Sequence, residues 1–90
     1  MFMKRFHLVI RGVVQGVGFR YYTDKEAKRL YLSGWVRNTQ DGSVEIEVQG
    51  EEQPLVEFIE WVHQGPTRSL VESVDITELP ENKETGFSIV

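Results

Sequence analysis

Apolar and polar side chains alternate near the start of the chain, with Phe6, Leu8 and Ile10 standing among Arg5, His7 and Arg11. A period of two predicts a strand with one face buried. A glycine-studded stretch, Gly12 to Gly18, interrupts the pattern. From 19 to 31 there is neither Gly nor Pro, and Phe19, Thr23, Ala27 and Leu30 fall at helical spacing. Gly34 then opens a second strand, Trp35-Val36-Arg37-Asn38. Beyond Asp41-Gly42, a turn signal, Val44, Ile46 and Val48 alternate with Glu45 and Glu47 in a third.

The register of this hairpin follows from its faces. A two-residue loop would set Val36 against Glu47. A three-residue loop over Gln40 to Gly42, with Gly42 left-handed, sets Val36 against Ile46 and Arg37 against Glu45. The second choice gives one apolar face and a cross-strand ion pair. It also places Asn38 beside Val44 at the turn end.

Pro54 suits the first turn of a second helix, whose Leu55, Phe58, Ile59 and Val62 recur at i, i+3, i+4, i+7. Gly65-Pro66 ends it. Val74 and Ile76, alternating with Asp75 and Thr77, mark a fourth strand, and Phe87 to Val90 offers a short closing one. The order βαββαβ predicts an α+β, ferredoxin-like sandwich: an antiparallel sheet carrying two helices on one face. The first two strands would run parallel with the third between them. The 12–20 segment and Asn38 therefore meet at one edge of the sheet.

Composition narrows the possibilities. Ninety residues with 40% hydrophobic content fit a single domain spanning 1–90. With no cysteine there is no disulfide framework, thiolate nucleophile or cysteine metal site, and two histidines, His7 and His63, make no metal cluster. No apolar run is long enough to span a membrane. The opening Met1 to His7 mixes charge into its apolar residues and does not read as a leader. A soluble cytoplasmic monomer is the expectation. The net charge is −4, unevenly spread: residues 1–40 carry eight of the ten Lys/Arg and only two of the fourteen Asp/Glu. A globally acidic chain repels nucleic acid, but a small anion could be drawn to the basic half.

The chemistry-bearing segment is Val14-Gln15-Gly16-Val17-Gly18-Phe19-Arg20. Glycines let successive N–H groups turn inward, and a helix N-terminus supplies further donors and the positive end of its dipole; together they form an anion cradle. The loop is neither a Walker A loop nor a dinucleotide fingerprint, and a tight strand-to-helix connection would also use glycine. Arg20 adds weight. A cation in a first helical turn opposes the dipole by about 0.3–1 kcal/mol, a sign that a bound anion reverses. Its guanidinium fork fits phosphate oxygens. The spacing is similar to a cysteine-phosphatase cradle with Val14 in place of the nucleophile, so water would have to attack. Asn38 is the second candidate. Asparagine is uncommon inside strands, and its amide can orient a water, although a turn-adjacent Asn can also bond the hairpin backbone.

Together with Gly34-Trp35-Val36-Arg37-Asn38 and Asp41-Gly42-Ser43-Val44-Glu45, this loop resembles the signature segments of acylphosphatases, and the resemblance extends to Gly50 and Gly65-Pro66. It implies a cofactor-free, metal-independent hydrolase of small acyl phosphates. It maps the catalytic arginine and asparagine onto Arg20 and Asn38, and the phosphate-binding loop onto Gln15, Gly16, Val17, Gly18, Phe19 and Arg20. Relatives often carry glycine at the position of Tyr31, so a positive φ there would strain this chain. Two rivals compete with this reading. One is a module that binds an acyl phosphate without cleaving it. The other is an RNA-recognition domain, which shares the βαββαβ order but needs basic and aromatic residues where Ser43 to Val48 is acidic.

Overall fold

The protein is described here from a computed structural model of residues 3–90; Met1 and Phe2, part of the stretch read above against a leader, lie outside the described residues. The first alternation forms β1 (Met3–Val13), and the Gly/Pro-free stretch forms α1 (Phe19–Arg29). The hairpin is β2 (Ser33–Asn38) and β3 (Val44–Glu51). Then come α2 (Glu52–Gln64), β4 (Leu70–Leu79) and β5 (Phe87–Ile89). The sheet order is β4-β1-β3-β2-β5.

The hairpin takes the three-residue loop. Val36 pairs with Ile46, Arg37 with Glu45 and Asn38 with Val44, and Gly42 has φ 91°. Arg37 Nε meets Glu45 Oε1 at 2.7 Å. On the inward face Leu8, Ile10, Val36, Val44, Ile46 and Val48 are fully buried, and Phe19 and Ala27 of α1 with Leu55, Phe58 and Val62 of α2 cover them. Both helices thus lie on one face, in the ferredoxin-like plan. Burying a side chain such as Phe58 contributes about 1.5–3 kcal/mol. Among the described residues no helix is long and apolar enough to cross a membrane.

Three features differ from the sequence reading. The sheet is mixed rather than antiparallel, because β5 runs parallel to β2. After β4 the chain crosses to the far edge and returns antiparallel to β4, a direction that matches β2. Arg5, expected on a solvated face, is 2% exposed. It bonds Glu47 at 2.9 Å and Glu84 at 2.7 Å, holding the crossing segment to the sheet. Burial opposes its charge, yet bonds to Glu84 and Glu47 outweigh that and raise its pKa. The first helix ends at Arg29 instead of reaching 31. Leu30 is its C-cap and Tyr31 follows at φ 57°, in the left-handed region.

Candidate active site

The loop after β1 is built to present donors. Gly16 and Gly18 have φ 74° and 81°, values that favour glycine over any residue bearing a Cβ. Gly18 is the N-cap of α1 and makes no side-chain cap bond, and the first turn holds no acidic residue. The first intrahelical bond runs from the Tyr22 N–H to the Gly18 carbonyl at 3.0 Å. The N–H groups of Phe19, Arg20 and Tyr21 precede it and have no carbonyl within the helix to meet. Those donors and the dipole give this end a positive field, to which Arg20 adds a full charge.

Arg20 is exposed and forms no ion pair with any described carboxylate. Arg5, Arg11, Arg29 and Arg37 all do. Asn38, the last residue of β2, has the opposite anomaly. Its side-chain Oδ1 is buried and has no hydrogen-bond donor among the described residues. An orphaned buried acceptor costs about 1–3 kcal/mol, so folding alone does not account for it.

These two unmatched groups line one depression of about 300 Å³, together with Val14, Gly16, Gly18, Phe19, Tyr21 and Ile89. The loop and the end of β2 do meet at one edge of the sheet, as the topology requires. What fastens them is Gln15. Its side-chain amide donates to the carbonyls of Thr39 and Ser43, each at 2.8 Å. Its side-chain amide nitrogen is thereby occupied. Neither Gln15 nor Val17 is among the residues that line the depression; Val17 lines a neighbouring groove.

The turn that receives Gln15 is itself cross-linked. Asp41 Oδ1 accepts from the Thr39 hydroxyl, from the Ser43 hydroxyl at 2.7 Å and from the Ser43 N–H at 3.1 Å. These bonds, led by that of Thr39, hold the Asp41 carboxyl down to about 2. On the open face of the sheet His7 Nε2 lies 2.6 Å from Glu45 Oε2. That bond, aided by Arg37, lowers the Glu45 pKa despite partial burial. Neither His7 nor any carboxylate lines the depression. Among the described residues no group of three His, Cys, Asp or Glu is placed to hold a metal ion.

Sequence reasoning missed two parts of this site. Ile89 forms a wall because β5 pairs with β2, and a short closing strand carries no local signal of which edge it will join. The role of the Gln15 side chain was equally hidden, since its acceptors lie 24 and 28 residues away.

The profile of the acylphosphatase family matches residues 6–89. An acylphosphatase of Marinobacter nauticus is 46% identical over 84 residues, covering 93% of this chain and 91% of that one. The crystal structure of acylphosphatase from Bacillus subtilis superposes with a TM-score of 0.93 at 40% identity, covering 99% of both chains. That of an acylphosphatase from Coxiella burnetii gives 0.94 at 33% identity, over 98% of this chain and 93% of that one.

Proposed function

The chain belongs to the acylphosphatase family and hydrolyses acyl phosphates, and we propose that it does so by in-line attack of water in the depression shared by Arg20 and Asn38. The observation that supports this is the pairing of an arginine without a carboxylate partner and a buried amide oxygen without a donor, in one site at a helix N-terminus.

The substrate is a mixed anhydride. Its leaving carboxylate has a conjugate acid of pKa about 4, so it departs without protonation and no general acid is needed. Phosphoryl transfer then asks for positioning and charge stabilisation. Arg20 and the N–H groups of Gly16 to Phe19 clamp the phosphoryl oxygens and meet the charge that spreads over them in the transition state. Asn38 Oδ1 accepts a hydrogen bond from the attacking water and holds it opposite the leaving oxygen. The water oxygen bonds to phosphorus, and the bond between phosphorus and the acyl oxygen breaks with its electron pair leaving on the carboxylate. A phosphoryl oxygen takes the proton from water, since no carboxylate lines the depression. Carboxylate and inorganic phosphate result, with no covalent intermediate on the protein.

Turnover of benzoyl phosphate in ¹⁸O-labelled water, with chelator present, tests this proposal. Label in phosphate and none in benzoate, with multiple turnovers per chain, is the expected result. Label in benzoate would place the attack on carbon and overturn it. Benzoyl phosphate bound at one per chain and recovered intact would make the loop a binding module only.

A further inference from the structure

Four of the six arginines are committed to ion pairs; the two that are not, among the described residues, are Arg20 and Arg68. Arg68 is one of only two basic residues between 41 and 90, a stretch with twelve acidic ones. It nonetheless stands exposed in the turn between α2 and β4 without a carboxylate partner. It lines a second groove of about 490 Å³, whose other walls include Val17, Tyr22, Trp61 and Pro66. That volume is in the range of small-molecule sites, and the lining is mixed, with Val17, Tyr22, Trp61 and Pro66 on the apolar side and Gln64, Thr67 and Arg68 on the polar side.

The groove adjoins the phosphate depression. Val17 belongs to the groove, while Gly16 and Gly18 on either side of it belong to the depression. Tyr21 and Tyr22 divide in the same way, and their rings pack edge to face with centroids 5.1 Å apart. Phe19, a wall of the depression, packs on Trp61, a wall of the groove, at 5.8 Å between centroids. A substrate whose phosphate sits against Arg20 can therefore lay its organic half over Val17.

Resting on the function proposed above, we infer that this groove receives the acyl half of the substrate and that Arg68 selects acyl groups ending in an anion. An apolar body packs between Tyr22 and Trp61, and a distal carboxylate or phosphate meets Arg68. Arg20 then reads the phosphoryl end and Arg68 reads the far end.

Two probes of one shape test this: 4-carboxybenzoyl phosphate and 4-(aminomethyl)benzoyl phosphate, compared by kcat/KM at low salt. Arg68→Gln is expected to lower the preference for the carboxyl probe by about fivefold, the scale of an exposed charge pair. Arg68→Glu should shift it further, toward the amino probe, and raising the salt should shrink every such difference. Lys83→Glu makes the same change in net charge away from both depressions and should leave the preference at its parent value. A preference unmoved by both Arg68 substitutions, or moved equally by Lys83→Glu, overturns the inference while leaving the function intact. Full turnover of both probes by Arg20→Ala would instead remove the proposed function, and the inference with it.

Discussion

The Gln15 side-chain amide donates to the main-chain carbonyl of Thr39 at 2.8 Å. With its companion bond to Ser43, it ties the loop between β1 and α1 to the hairpin that carries Asn38. One side chain thus sets the spacing between the two groups assigned to phosphate and water. Gln15→Ala should cost about 1 kcal/mol of stability, because two hydrogen bonds are lost while both carbonyls keep a donor within the turn, Thr39 from the Gly42 N–H and Ser43 from the Thr39 N–H. At a temperature where both proteins are folded, kcat should also fall by roughly tenfold to a hundredfold, the effect of a small misplacement. Denaturant unfolding and steady-state kinetics on the same preparation check both. A loss of stability with unchanged kcat would reduce Gln15 to a structural tie.

Asn38 carries a burial cost that no hydrogen bond among the described residues offsets. Because its Oδ1 is buried without a donor, Asn38→Ala should leave stability unchanged or raise it by up to about 1 kcal/mol, as an unmet desolvation penalty is removed. Activity should fall in the same variant. Thermal unfolding decides the point, and a marked drop in Tm would contradict it.

Tyr31 is the reverse case, strain without evident use. It stands at the left-handed position of a Schellman-type cap. The Leu32 N–H reaches the Ala27 carbonyl at 2.9 Å and the Tyr31 N–H reaches that of Lys28 at 3.1 Å. The left-handed conformation costs a residue with a Cβ about 1–2 kcal/mol. Its side chain is 94% exposed and returns little by burial. After the entropy glycine gives up on folding, Tyr31→Gly should still stabilise by about 0.5–1 kcal/mol, several degrees in Tm for a domain this size. Turnover should not change.

The sequence carried most of this architecture in local terms. Alternation and the Asp41-Gly42 turn were enough to set Val36 opposite Ile46, and the spacing of Leu55, Phe58 and Val62 marked the buried side of α2. Arg20 and Asn38 were legible because each breaks a local rule, a cation in a first helical turn and an asparagine in a strand. What was illegible depends on distant partners. Arg5 is buried only because Glu47 and Glu84, 42 and 79 residues away, arrive to satisfy it. The parallel pairing of β5 depends on where the crossing segment lands, and Arg68 gains meaning only once α2 and the loop before α1 are neighbours.

Asp41 gives the hairpin turn a definite acid limit. Bonds from Thr39 and Ser43 lower its pKa from 3.8 to about 2. A carboxyl whose pKa is depressed by folding contributes stability that is complete above its unfolded value and lost as pH falls through its folded one. The stability difference between the parent and Asp41→Ala should therefore be constant above about pH 5 and shrink between about pH 4 and pH 2. Denaturant titrations across that range, with the Asp41 carboxyl followed by NMR, check it. A carboxyl titrating near its ordinary value would contradict it.

The division of labour between the two site residues is tested most directly by the kinetics of benzoyl phosphate hydrolysis, in chelator, with phosphate as competing inhibitor. The parent is compared with Arg20→Ala and Asn38→Ala. Arg20→Ala should lose nearly all turnover, and whatever residual rate remains should resist inhibition by phosphate. Asn38→Ala should lose about a hundredfold or more in kcat, the scale of one preorganised hydrogen bond in a transition state, while phosphate inhibits it as it does the parent. Parent-like turnover in either variant, or loss of phosphate inhibition in Asn38→Ala, would contradict the assignment.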